Sequence, residues 1–459
     1  MSTELKSKSE SECEECECTE ERISVKEATR RIGDVVHIAG HVHSLRDLGK
    51  LYFLNVRDAS GIIQVVVEKE SLVAVAREIV LETPVRVQGL VVAQGRKEGG
   101  SEIQATVLKR LAHNKEIPPV ELSKEQKMDS LGLSTLLDYR PITLRNPKVK
   151  AIFKIEAAIT QAFREFLTKE NFVEIHSPKI VATGTEGGAQ LFKLDYFGTN
   201  AFLAQSPQFY KQIMVGVYER VFETAAVYRA EEHDTSRHLN EYISLDFEMG
   251  FIESEQDIIN MQVRLLRHIF AHVKETCAEE LAMYGAEVPE FETIPQISLT
   301  EALKLLSSKL GWKQEGESDL DPEGERLLCE HFRKETGCEL LYVKHYPLAA
   351  RPFYTHPLTE PLSNPNAPKM SRGFDLLFRG LEVTTGGQRI HEYEELCNSI
   401  AGRGLNPEDF AEYLQCFKYG MPPHGGLAIG LERITKQLLG LPTIKQTALF
   451  PRDINRLKP

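Results

Sequence analysis

From Asp34 to Arg110 the chain alternates short β-branched runs with polar turns. Five runs stand out: Val35–Val42, Leu51–Val56, Ile62–Val67, Val85–Ala93 and Ile103–Leu108, with a helical stretch, Lys69–Leu81, after the third. Three strands, a helix and two strands is the order of an OB-fold barrel, a fold that binds single-stranded nucleic acid. Residues 113–145 carry Pro118, Pro119 and Pro141 around a short polar helix and read as a hinge. The period then changes. Ile152, Ile155, Ile159, Phe163, Phe166 and Leu167 form one stripe of a helix over Lys150–Lys169. NFVEIHSPKI follows and predicts a strand that ends at Pro178, because proline cannot extend a ladder. Glu255–Cys277 has the period of a packed helix, and residues 278–340, charged and with Trp312, read as an insertion.

The densest polar pattern is VYRAEEHDTSRHLNEYISLDFEMG, Val227–Gly250. It predicts strand, loop, strand, with Tyr242, Leu245 and Phe247 set among Asp246 and Glu248. Pairing is expected to set Arg229 and Glu231 across from Asp246 and Glu248. Such a floor carries both charge signs and suits a ligand with a phosphate and an amine. A salt-bridged exposed hairpin is the plain alternative.

Composition narrows the class. Of 459 residues, 42% are hydrophobic and 27% charged, as in globular proteins, and two or three domains are expected. No apolar run approaches the roughly 18 residues of a membrane span. The N-terminus has no apolar core of a secretory signal. Eight irregularly spaced cysteines suit a reducing cytosol. Net charge is −12, of which the first 21 residues, with eight Glu and two Lys, supply −6. The rest can therefore still present local basic faces to RNA. Cys13, Cys16 and Cys18 lack a fourth metal ligand at a usual spacing. His37, His41 and His43 on one strand read as packed or solvated rather than metal-bound.

Two further stretches break the tie over the hairpin, FDLLFRGLEVTTGGQRIHEYEEL (Phe374–Leu396) and GGLAIGLERI (Gly425–Ile434), and LAQSPQFYKQ (Leu203–Gln212) is a further specific match. In GGLAIGLERI, glycines run into a helix starting near Leu431 and carrying Arg433. With the hairpin they resemble the class II aminoacyl-tRNA synthetases, subclass IIb, in particular the aspartate enzymes of archaeal and eukaryotic cytosolic type. The resemblance covers the chain from about Ser24 onward.

What the resemblance implies is an α+β protein in the cytoplasm. An acidic tail (1–22) precedes an OB-fold anticodon-binding domain (23–112), the hinge (113–145) and a class II catalytic domain (146–459), an antiparallel sheet flanked by helices. The activity implied is that of a ligase joining L-aspartate to tRNA(Asp) through an aspartyl-adenylate made from ATP. The Lys150–Lys169 helix and the strand ending at Pro178 match the first class II motif, the homodimer interface. In ATGTEGGAQLF, Glu186 matches a loop residue that meets the α-ammonium of aspartate. Gln208, Lys211, Arg229, Asp246, Thr385 and Arg389 match aspartate-binding positions. Arg229 is also the implied clamp on the α-phosphate, and with Arg433, which reaches the γ-phosphate and caps adenine, it is the implied catalytic residue. Glu231, Arg237, His238, Leu239, Tyr242, Glu382 and Gly430 complete the implied ATP site. Asp375, Glu382 and Thr385 match Mg²⁺ ligands. Arg46, placed in the loop before the second strand, matches an anticodon contact together with Phe53 and Gln64. Three departures stand out: tyrosine at 242 where many relatives have phenylalanine, threonine at 385 in place of serine, and a tail without the lysine-rich helix of some relatives.

These residue types suit the chemistry. Attack of a carboxylate on the α-phosphate brings two anions together, so fixed cations and Mg²⁺ are needed rather than a covalent nucleophile. Arg389 and Lys211 in one small pocket select aspartate by charge, with asparagine expected to leave buried cations unpaired. The rivals are an asparagine enzyme of the same fold and a non-catalytic RNA-binding scaffold. A scaffold has no need of Arg229, Glu382, Arg389 and Arg433 together. PKMSRG (Pro368–Gly373) resembles a class I signature, but HIAGH at 37–41 has the wrong spacing for its partner and lies in the barrel. There is no G-x-x-x-x-G-K-[ST] loop.

Overall fold

The computed structural model describes residues 21–94, 100–124, 128, 130–184, 190–316, 318–358 and 368–458. Glu186, Cys13, Cys16 and Cys18 lie outside them. Two compact units divide the chain, Met1–Ile142 and Thr143–Pro459.

In the first unit β1 (Val35–Asp47), β2 (Tyr52–Arg57), β3 (Ile62–Val67), β4 (Pro84–Ala93) and β5 (Ser101–Arg110) close into a barrel of order β1-β2-β3-β5-β4. All pairs are antiparallel except β3 with β5, the seam that closes the barrel. Alternation places Val36, Ile38, Leu54, Val56, Ile63, Val65, Val85, Val87, Val91 and Ile103 inside. A helix over Glu70–Arg77 packs Val73 and Ala76 against that core. His43 is buried, with its Nδ1 2.6 Å from the Arg57 guanidinium, which in turn binds Glu82 at 2.8 Å.

The second unit starts with a helix over Pro147–Lys169, capped by the Asn146 side chain, which accepts from Lys148 N and Val149 N. Its predicted stripe is buried against a helix over Glu255–Thr276, which begins with a Ser254/Asp257 capping box. β6 is only Val173–Glu174 and stops short of Pro178, where a longer strand was expected. A small sheet follows, β7 (Ile180–Val181), β8 (Lys193–Tyr196) and β9 (Thr199–Leu203). The large sheet adds β10 (Arg220–Tyr228), β11 (Glu241–Gly250), β12 (Gln296–Ser298), β13 (Leu340–Lys344), β14 (Gly373–Phe378), β15 (Leu381–Arg389) and β16 (His424–Gly430). Its order is β12-β13-β14-β15-β16-β11-β10-β6. The six central strands are antiparallel; the edge strands β12 and β6 are parallel to their neighbours.

Residues 278–340 are not appended to this sheet but built into it. β12 forms its edge, and helices over Leu299–Ser308 and Pro322–Thr336 bury Leu299, Leu306 and Leu328 against Leu341, Val343 and Leu377. The alternate residues Leu340, Tyr342 and Leu376 face the opposite core, beneath the Glu255–Thr276 helix.

Candidate active site

The site lies on one face of the sheet. Along β11, Leu245, Phe247 and Met249 enter the core, so Ser244, Asp246 and Glu248 face the other way. β16 sets Gly430, Ala428 and Gly426 opposite those three, and β15 sets Thr385 opposite Ala428. Asp375 on β14 pairs with Thr385. Directly paired residues share a face, so the small residues of β16 form the floor of a trough between polar walls. At Gly426 a Cβ would lie 2.1 Å from Phe247 O and 2.3 Å from Glu248 Oε2. Gly426→Ala is therefore expected to lower stability by about 1–3 kcal/mol; an unshifted calorimetric transition would show that the strands give way freely.

The hairpin register differs from the expected one. Val227 pairs with Tyr242 and Tyr228 with Glu241, so Asp246 lies across from Glu223 and Glu248 across from Val221. Arg229 instead begins the loop, with its N–H donating to Asn240 O at 2.9 Å. The loop is tied down: Ile444 N donates to Ser236 O at 3.0 Å, and Lys445 Nζ and Asn455 Nδ2 hold the Asp234 carboxylate at 2.5 and 2.8 Å. Arg237 of this loop pairs with Glu325 of the Pro322–Thr336 helix. Burial pushes the Glu325 carboxyl up to about 7 against the pull of Arg237.

All nine residues assigned to nucleotide line one cleft: Arg229, Glu231, Arg237, His238, Leu239, Tyr242, Glu382, Gly430 and Arg433. Thr385 and Ser244 also line it. The Arg229 guanidinium stands 5.8 Å from the centre of the Tyr242 ring. Arg433 Nη1 donates to Glu382 O at 2.9 Å and lies 3.5 Å from Glu382 Oε1. Burial raises Glu382, but Arg433, the Thr385 hydroxyl at 2.7 Å and Arg351 outweigh it and hold the carboxyl below its ordinary value.

Asp375, 4% exposed, takes an Arg351 Nη2 bond at 2.5 Å on Oδ2, while Oδ1 has no hydrogen-bond partner among the described residues. Arg351 rests 3.7 Å over the Tyr346 ring. Burial pushes Asp375 up to about 6. An orphaned buried carboxylate oxygen, with Glu382 and the Thr385 hydroxyl nearby, is an all-oxygen set that fits Mg²⁺. Among the described residues no three His, Cys, Asp or Glu gather around a metal position. Two carboxylates are the usual protein share where phosphates complete the sphere.

Beside the cleft lies a buried quartet. Lys211 Nζ is 3.0 Å from Asp246 Oδ1 and 3.3 Å from Glu248 Oε2, and donates to Leu427 O at 3.2 Å. Arg389 binds Glu248 through Nε at 3.0 Å, and Nη2 reaches Gln208 Oε1 at 3.4 Å. Lys211 and Arg389 do converge, but their charges are already met by Asp246 and Glu248, which corrects the expectation of unpaired cations. Asp246, assigned to an ammonium, is held by Lys211 and the Ser244 hydroxyl. Burial pushes His424 down to about 4, so it adds no charge at neutral pH. The Gln208 Nε2 donor is buried without a partner among the described residues, as expected of a group awaiting a ligand.

On the barrel, Arg46 pairs with Phe53 and Phe53 with Val66, two residues from Gln64. Arg46, Phe53 and Gln64 therefore share one face. Arg46 belongs to β1 rather than to the loop, since β1 runs on to Asp47. Gln64 Nε2 donates to Glu102 Oε2 at 2.6 Å. Sequence reasoning put Glu248 on the charged floor without a contact of its own and left Ser244, Glu325 and Arg351 without site roles. The alternation of SLDFEMG already put Glu248 and Ser244 on the face of Asp246; nothing in the sequence marked the other two.

The closed barrel, the antiparallel sheet and the arginine-lined cleft define a class II aminoacyl-tRNA synthetase. Residues 132–454 match the family of tRNA synthetases class II (D, K and N), to which the chain belongs, and residues 36–111 match the OB-fold nucleic acid binding domain. Within the family it is similar to aspartate ligases: 48% identical over 95% of the chain and 99% of the aspartate–tRNA(Asp/Asn) ligase of Deinococcus radiodurans. It is 42% identical to the aspartate–tRNA(Asp) ligase of Thermococcus kodakarensis, over 93% of the chain and 97% of that protein. Among solved structures, asparaginyl-tRNA synthetase from Pyrococcus horikoshii complexed with asparaginyl-adenylate superposes with a TM-score of 0.87 at 33% identity, covering 96% of this chain and all of that one.

Proposed function

We propose that the chain is an aspartate–tRNA ligase, which activates L-aspartate with ATP and transfers it to the 3′ end of tRNA(Asp). The observation that carries this reading is the junction, on one sheet face, of the arginine-lined cleft with the buried quartet of Lys211, Arg389, Asp246 and Glu248. Relatives 42–48% identical along nearly the whole chain support it. No helix among the described residues is long and apolar enough to cross a membrane, and a cytosolic place agrees with the cysteine usage.

ATP binds with adenine between Tyr242 and Arg433. Arg229 clamps the α-phosphate and steadies the charge that grows there; Arg237 and His238 meet the terminal phosphates. Asp375, Glu382 and Thr385 would hold Mg²⁺, which would supply positive charge against the phosphates. Lys211 and Arg389 receive the side-chain carboxylate of aspartate, and Gln208 Nε2 donates to the same substrate. Glu186, which lies outside the described residues, is the partner for its α-ammonium. No acid–base residue is required in activation. A second copy docks along the Pro147–Lys169 helix and the β6 edge towards Pro178.

The test is aspartate-dependent ATP–pyrophosphate exchange, run in parallel with asparagine. Exchange with asparagine as fast as with aspartate would replace the aspartate assignment by the asparagine one. For the barrel, Phe53→Ala and Gln64→Ala are each expected to lower kcat/KM for tRNA by about 1–3 kcal/mol and to leave exchange unchanged. Equal losses in exchange and aminoacylation would mean that the barrel does not read the anticodon.

A further inference from the structure

The loop between β10 and β11 must present Arg237 to the triphosphate, and most of its tethers fix backbone or the neighbouring Asp234. The Arg237 side chain has a different anchor. Among the described residues its one ion-pair partner is Glu325, in the first turn of the Pro322–Thr336 helix, 88 positions away along the chain. Glutamate is common in a first turn because it favours the helix dipole. That explanation fits Glu323, which is exposed and pairs with Arg326 of its own helix. It does not fit Glu325, whose side chain is 9% exposed and turned to another element. Burying a carboxylate is costly unless a cation meets it. Arg237 meets it while still lining the cleft. A guanidinium has five N–H donors in a rigid fork, so one carboxylate leaves donors free for phosphate.

We propose that Glu325 is a positioning residue for ATP: it holds Arg237 in the orientation that meets the terminal phosphates before nucleotide arrives. The proposal rests on the ligase reading and deepens it. It also gives a role to the segment 278–340, none of whose described residues lines the cleft. A pre-set arginine spares the entropy of freezing a long side chain on binding. Glu325 does not line the cleft, and its ion-pair contact with the nucleotide site is Arg237.

The test is pyrophosphate-exchange kinetics on Glu325→Ala, Glu325→Gln, Arg237→Ala and the pairwise combinations. Glu325→Ala is expected to raise the ATP KM about tenfold, the entropic cost of one long side chain, and to leave the aspartate KM unchanged. Glu325→Gln, which keeps an acceptor, is expected to fall between. Combined with Arg237→Ala, neither change at 325 should add to the effect. A purely structural glutamate would lower the active fraction and the melting temperature while both KM values stayed put. Wild-type ATP KM in either variant, or effects that multiply with Arg237→Ala, would overturn the proposal. Should the alanine variant fail to fold, the isosteric glutamine runs through the same cycle. Lack of exchange in the wild type would instead defeat the ligase reading, so the two failures are distinct.

Discussion

Arg229→Ala is expected to reduce adenylate formation at least a hundredfold while the protein stays folded. Arg229 stands at the end of β10, where the strand gives way to the loop, so its side chain lines the cleft rather than the core. Losing a preorganised cation beside a developing oxyanion costs about 3 kcal/mol or more. The fold has little to lose: the backbone bonds of Arg229 with Asn240 remain, and the Tyr242 ring keeps its place on β11. Exchange kinetics and a melting curve separate the outcomes. Near-normal exchange would remove Arg229 from the mechanism, and a collapsed transition would make it a structural residue.

Lys211→Leu is expected to have the second large effect, on binding and on stability together. The side chains of Lys211, Asp246 and Glu248 are 2%, 1% and 0% exposed, so the substitution strands two carboxylates with Arg389 as their one remaining cation. Removing one member of a buried ion pair costs about 3–5 kcal/mol. The aspartate KM should rise steeply, by the roughly 2–5 kcal/mol of a truncated, desolvated charge contact. Adding Asp246→Asn rebalances the charge and should recover melting temperature without recovering aspartate. If it recovers both, Lys211 serves the fold alone. The neutral quartet also changes the reason for which asparagine is expected to be refused. Its cations are not left bare by a neutral ligand. Lysine and arginine present only donors, so an aspartate carboxylate satisfies both, whereas the NH₂ of asparagine meets donor with donor.

The barrel was legible because its strands bury one face and expose the other, which writes itself as alternation. The Pro147–Lys169 helix was legible by its stripe for the same reason. Pairing across the hairpin was not. Register depends on where the loop ends, and a polar loop holding Arg229 and Asn240 has no marker for its last extended residue. Arg46 was misplaced likewise, since Arg46 and Asp47 are charged but still belong to β1. That residues 278–340 add an edge strand and two packed helices to the sheet was not legible, because β12 is three residues long and the helices show few buried positions amid charge. The residues of the cleft were legible by resemblance and by charge. The pairing of Lys211 with Asp246 and Glu248 was not, because it joins a helix over Gln208–Tyr218 to β11 through tertiary packing.

The order β15-β16-β11-β10 has a consequence for how the protein is made. Lys211 reaches Leu427 across 216 positions, and Lys445 reaches Asp234 across 211. Contacts this far apart form late, because chain entropy must be spent before they give anything back. A nascent chain therefore has no nucleotide site until β16 has slotted between β15 and β11. Partly folded molecules in a cell would be blind to ATP, while finished ones gain from it, since a ligand that binds only the native state draws the equilibrium towards it. Protection of the chain by ATP during refolding thus reports one event, the insertion of a single glycine-rich strand.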